Sequence, residues 1–159
     1  MTDPLFLLDD LTDPLPLVGT HLTLAGDEGR HAAVVRRIRP GEMMMIGDGR
    51  GRGIRGSVVE VRPSSLVVEV AEHLTAPDKP LRVVAAQALA KGDRSELAVE
   101  MMTEMGASEI VPWQASRSIV RWSEERATRA LTRWRSTARE AAKQSRRINV
   151  PQVSEPVTT

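Results

Sequence analysis

The 159 residues are 41% hydrophobic and 27% charged, with a formal net charge of +1, enough apolar material for one large core or two small ones. The chain has no cysteine, which excludes a disulfide framework, a thiolate nucleophile and a thiolate metal site; His21, His31 and His73 have no ligand spacing, so no metal is predicted. No run of eighteen apolar residues occurs, and Asp3, Asp9 and Asp10 stand where a signal peptide needs cations, which predicts a cytoplasmic protein with no membrane partner.

In chain order, "HLTLAG", "EMMMIGDG", "IRGSVVEVRP" and "SSLVVEVAEHL" alternate or are rich in β-branched residues, and Gly and Pro punctuate them. Short strands at this spacing predict a small β-barrel over residues 1–74. Its one helix is expected in "DEGRHAAVVRRIRP", capped by Asp27, with Ala33, Val34 and Ile38 on its apolar face. "TAPDKP" has two prolines and no apolar period, which makes residues 75–80 a linker.

Residues 81–159 then read as α/β. "LRVVAAQAL" is a continuous apolar run of the kind buried on both faces of a parallel sheet. The following helix starts at Asp93 with Glu96 as a capping pair and stops at Gly106, and its Leu97, Met101 and Met105 face is read as core filling. "SEIVPWQA" is a second buried strand, completing a βαβ unit. A long helix runs from an N-cap at Ser123 to about Arg146, with Ala127, Leu131, Trp134, Ala138 and Ala141 as its inward stripe, and "INVPQV" begins a further strand. The expected fold is therefore α+β, with the second domain incomplete as written.

Charge is unevenly spread. Residues 121–147 hold nine Lys or Arg against three Glu, and Arg30, Arg36, Arg37, Arg39, Arg50, Arg52 and Arg55 form a second basic group. A charge run is often only a solvated face, but two arginine-dominated groups suit a phosphate polymer. "GDGRGRGIRG" lies between strands and is read as a hairpin turn with arginines, Arg52 among them, at its tip, not as a nucleotide loop. Lys91 and Arg94 follow the first α/β strand and Arg117 follows the second, placing all three at the carboxyl edge where open α/β sheets bind ligands. Gln144, Arg146 and Arg147, at the end of the long helix, are candidate readers of a base or backbone, although Gln144 serves equally well as a plain helix-end residue. Arg36 and Arg37 complete the candidates, and no serine elbow, paired histidine or other catalytic constellation appears.

The blocks "HAAVVRRIRPGEMMMIGDG", "QALAKGDRSELAVEMMTEMGASEIVPWQASRSIV" and "RWRSTAREAAKQSRRINVPQV" resemble, in order and spacing, those of the RsmE family of 16S ribosomal RNA (uracil N3) methyltransferases. The resemblance runs from His31 to Val153 and includes Lys91, Glu104 with Gly106, Ser116 with Arg117, and Gln144, Ser145 and Arg147. It implies a PUA-like RNA-binding barrel, a SPOUT α/β domain with a trefoil knot, S-adenosylmethionine as methyl donor, a homodimer, and 16S rRNA of the small ribosomal subunit as partner. The family's glycine-rich "GPEGG" block is absent. The donor site is therefore expected beyond Thr159, and a chain ending there is expected not to methylate alone. A stand-alone RNA-binding module is the alternative, and a third reading makes Trp122 and Trp134 anchors of a protein interface.

Overall fold

The computed structural model describes residues 3–78 and 81–159, so part of the predicted linker, Lys79 and Pro80, lies outside the described residues. The chain divides into two units: one contains the residues up to Pro77 together with Arg146–Asn149, the other Asp78–Ser145 and Val150–Thr159.

The first unit is a five-stranded sheet in the order β1-β3-β4-β5-β2, formed by β1 (Leu5–Leu7), β2 (His21–Leu24), β3 (Met43–Gly47), β4 (Arg52–Arg62) and β5 (Ser65–Thr75). β1 runs parallel to β3 and the other pairings are antiparallel. Phe6 of β1 and Leu24 of β2, on opposite edges, enter one cluster with Met44, Ile46, Ile54 and Val68, so the sheet curls around its own core. Register shifts at Arg55/Gly56 and Val58/Glu60 let the two long strands bend. Gly56 sits at the first shift because a Cβ there would lie 2.3 Å from the Glu69 carbonyl oxygen.

The helix of this unit, α1 (Gly26–Arg30), continues as a π-turn over His31–Val35, closed by the Arg36 N–H donating to the His31 carbonyl at 2.9 Å. Two expectations fail here. Ala25 takes the N-cap position, with Asp27 already inside the first turn. The wider turn also shifts the inward positions: Ala32 and Ile38 are buried, while Val34 is exposed.

The second unit is a parallel sheet with β7 (Glu109–Gln114) at its centre, β6 (Val84–Ala88) on one side, and β8 (Gln152–Val153) and β9 (Val157–Thr158) on the other. α2 (Arg94–Glu104) and α3 (Glu124–Gln144) pack with it around Leu89, Val99, Ile110, Leu131, Trp134, Ala138 and Val153. The predicted stripe of α3 is the one used, with Trp134 only 1% exposed. α2 ends in a Schellman motif: Gly106 at φ +89° donates to the Thr103 carbonyl and Ala107 to that of Met102, both at 2.9 Å.

Three expectations for this unit are corrected. Leu97, Met101 and Met105 do not fill the core; they are 55%, 57% and 84% exposed, and α2 turns Ser95, Val99 and Thr103 inward instead. The polar side chains are accommodated because each finds a backbone acceptor nearby, Thr103 Oγ1 donating to the Val99 carbonyl and Ser95 Oγ to that of Ala90. Asp93 has helical backbone angles and makes no side-chain cap bond, so the capping pair with Glu96 does not form. Of the apolar run, only Val84–Ala88 forms a strand, and it is an edge strand not buried on both faces: Val84 is half exposed, and Leu81 and Val83 before it remain more than half exposed.

Candidate nucleic-acid interface

On the first unit the candidate cations occupy opposite ends of β3 and β4. Arg36 and Arg37 follow the π-turn, ahead of Met43, and are exposed. Arg52 begins β4 beyond the turn at the other end, and the Met43 to Gly47 run between them spans about 13 Å at ordinary strand rise. Arg52 is tied down by Asp13 at 2.9 Å and Asp48 at 3.2 Å. Asp48 organises this turn by accepting the Arg50 and Arg52 backbone N–H groups on Oδ1 and the Arg52 side chain on Oδ2. Burial pushes its carboxyl pKa up, but the Arg52 and Arg50 amides and then the Arg52 guanidinium outweigh burial and hold it below the ordinary value.

Arg146–Asn149 lies at the same end of this unit. Gly51 N–H donates to the Ile148 carbonyl at 3.0 Å, Asn149 bridges Arg50, and Arg146 Nε donates to the Asp3 carbonyl at 3.1 Å. Arg147 is half-buried here. Arg37 (φ 52°) and Arg146 (φ 55°) are the two non-glycine residues with left-handed backbone among the described residues. Each stands just past a helix end, where glycine is the unstrained choice, so each keeps its side chain at a cost of about 1 kcal/mol.

On the second unit, Lys91, Arg94 and Arg117 all lie off the carboxyl edge of β6 and β7 and are exposed. The Lys91 loop is clasped by Ser95, whose Oγ accepts the Ala90 N–H at 3.1 Å, and Gly92 turns it with φ +68°. The Arg117 turn is held by Ser118 N–H donating to Ala115 and by Arg121 donating to the Ser116 carbonyl, both at 2.9 Å. Gln144 is not with them. It ends α3, which starts near this edge and runs 21 residues, about 30 Å, away from it.

Beside the Lys91 loop a cavity of about 360 Å³ opens between it and the first half of α3. Its walls carry Arg121, Arg126, Arg129 and Arg133, with Glu96 and Trp122. Trp122 meets Trp134 edge to face, with centroids 5.4 Å apart, and its backbone N–H donates to Gln114 Oε1 at 2.8 Å. Sequence reasoning counted these arginines only as charge. The signal that could have found them is their 3 and 4 residue spacing, which stacks Arg126, Arg129 and Arg133 on one helix face beside an aromatic residue.

Residues 77–159 match the model of the RNA methyltransferase domain family, and the chain belongs to that family. Within it the relatives are ribosomal RNA small subunit methyltransferase E proteins, and this is an RsmE-family chain. It is 44% identical over 92% of its length to the Mycobacterium bovis protein of that name, and 33% identical over 82% of its length to that of Bacillus subtilis. The chain spans about half of these relatives, 56% and 52% of their lengths. It superimposes with TM-score 0.81, at 29% identity, on the Neisseria gonorrhoeae ribosomal RNA small subunit methyltransferase E bound to S-adenosyl methionine, covering 99% of this chain and 63% of that one.

The cavity does not fit that donor. Its sulfonium is a fixed positive charge, and four arginines facing one carboxylate repel it. Among the described residues no group of three His, Asp or Glu side chains converges to hold a metal ion, and no helix is long and apolar enough to cross a membrane.

Proposed function

We propose that this chain is the RNA-engaging portion of an S-adenosylmethionine-dependent methyltransferase acting on uracil N3 of 16S rRNA in the small ribosomal subunit. The carrying observation is the 44% identity to ribosomal RNA small subunit methyltransferase E across 92% of the chain. In this reading the curled sheet is a PUA-like RNA-binding barrel and the second unit is the first part of a SPOUT domain whose knot and donor site lie beyond Thr159. The whole protein is a cytoplasmic homodimer.

The chain's own contribution is positioning. Lys91, Arg94 and Arg117 on the second unit bind RNA phosphates, as do Arg36, Arg37, Arg146 and Arg147 on the first; Arg52, already held by Asp13 and Asp48, shapes its turn instead, and Gln144 offers an amide to base or backbone. Holding the strand removes translational and rotational freedom before any bond changes, the part of the barrier that positioning can supply. Arginine suits this work because its planar fork pairs with two phosphate oxygens at once.

The test is binding of a 16S rRNA fragment at several salt concentrations. Each neutralised phosphate of a single strand contributes a slope of about −0.7 in log affinity against log salt, so several contacts give a steep line. Affinity indifferent to salt would sink the reading. The second reading is a stand-alone RNA-binding module without catalysis, with which an arginine-lined cavity that repels the donor is equally compatible. Calorimetry with S-adenosylmethionine decides between the two: heat from a chain extended past Thr159, with none from the 159 residues alone, supports the methyltransferase, and silence from the longer chain leaves only the RNA-binding module.

A further inference from the structure

We propose that the cavity beside the Lys91 loop binds one nucleotide unit of single-stranded RNA, with the base against Trp122 and its phosphate on Arg126 and Arg129. The inference rests on the RNA reading above and assigns that RNA a seat that the carboxyl-edge candidates do not provide. The volume of about 360 Å³ is within the range of small-ligand sites.

The charge in the cavity is not cancelled from within. Glu96 takes Arg133 at 3.3 Å, and Arg121 is spent on the Ser116 carbonyl. Arg129 meets Glu125 only at 3.7 Å, with both side chains more than three-quarters exposed. The Arg126 side chain has no hydrogen bond or ion pair among the described residues. It also stands in the first turn of α3, where the helix dipole is positive, and Arg129 repels it from one turn on and Arg133 from the turn after. Such a stack works against folding unless an anion relieves it.

A bare phosphate would satisfy the arginines and leave the aromatic wall unused. Trp122 lines the cavity half-buried, with its backbone N–H held by Gln114 and its ring edge to face with Trp134, so a planar partner meets an aromatic residue already ordered. A flat ring joined to a phosphate uses both features, and a base stacked on an aromatic side chain binds without regard to its sequence. An acidic peptide would meet the arginines but has no planar group for Trp122.

Uridine 5′-monophosphate, uridine, inorganic phosphate and a short oligouridylate are titrated into the 159-residue chain, with tryptophan fluorescence and thermal melting as readouts. Uridine 5′-monophosphate is expected to quench fluorescence and raise the melting temperature, phosphate to raise it without quenching, and uridine to bind more weakly than its phosphate. The double variant R126Q/R129Q, whose side chains are exposed, should melt no lower than wild type without ligand, bind the nucleotide roughly tenfold more weakly, and lower the oligouridylate salt slope by about 0.7. W122F, which keeps a ring in the core, should lose the quench and weaken binding about fivefold or more.

Nucleotide affinity no better than that of phosphate, or unchanged in R126Q/R129Q, overturns the proposal. If the oligouridylate binds wild type and double variant alike with the same salt slope, the cavity assignment falls and the RNA reading stands. If the oligouridylate does not bind at all, both fall together.

Discussion

Along β4, Arg52, Arg55 and Arg62 each meet carboxylates: Asp13 and Asp48, Asp3 and Glu72, and Glu60 respectively. Along the cavity face of α3, Arg126 meets none among the described residues, and Arg129 only a distant and exposed one. The residue type is the same and its use is opposite. On the strand, Arg52 and Arg55 tie residues far apart in sequence, Asp3 to Arg55 being the longest reach, while Arg62 meets only its near neighbour Glu60. On the helix, Arg133 has Glu96, but Arg126 and Arg129 leave charge largely uncompensated, which suits an external anion.

The largest effect expected from testing this contrast belongs to the apolar side of α3. Trp134→Ala empties the centre of the second core and should cost about 3 to 5 kcal/mol, seen as a lower urea midpoint. A loss under 1 kcal/mol would mean that the arginine face, not the packed face, holds the helix. Gly56→Ala comes next. The added methyl meets the Glu69 carbonyl and the Val68 side chain, so bending β4 around it should cost about 1 to 3 kcal/mol by thermal melting.

Asp48→Asn is third, at about 1 to 2 kcal/mol at neutral pH, because the Arg52 pair goes while one side-chain oxygen still accepts an amide. The Asp48 carboxyl pKa lies lower in the folded state than in the unfolded chain, so its contribution is fully present above the ordinary carboxylate range and is lost as pH falls through the folded value. The gap between wild type and variant in urea titrations should therefore close in acid; a gap that widens would contradict the pairing. The smallest effect is expected at Arg126→Gln, which should leave stability unchanged or raise it by up to about 0.5 kcal/mol at low salt. A clear loss would show that Arg126 is paired after all.

Periodic segments with one buried face were legible from the sequence. The 4, 3, 4, 3 stripe of α3 named its inward residues, and alternation with β-branched composition marked β2 to β5 as strands, because burial imposes those periods. The methionine face of α2 misled because period alone does not say which of two candidate faces points in, and Ser95 and Thr103 could be buried once each had a carbonyl to bond. β1 and β9 are three and two residues long and exist through pairing with distant strands, which no local pattern reveals, whereas β8 falls inside the strand read at "INVPQV". At the candidate site, the carboxyl-edge position of Lys91, Arg94 and Arg117 followed from strand order. The Trp122 cavity depends on how a loop meets a helix, a distance that sequence spacing does not contain.

The short return of Arg146–Asn149 to the first unit has a consequence for modularity. The Ile148 side chain rests against Gly47, where an added Cβ would come within 3.1 Å of it, and Arg50 and Gly51 spend backbone groups on the same four residues. Neither lobe is therefore encoded by one uninterrupted stretch of codons. A gene cut at the linker would release a front half with a bared seam and a back half carrying its missing stitch, so recombination could not trade these lobes as independent cassettes.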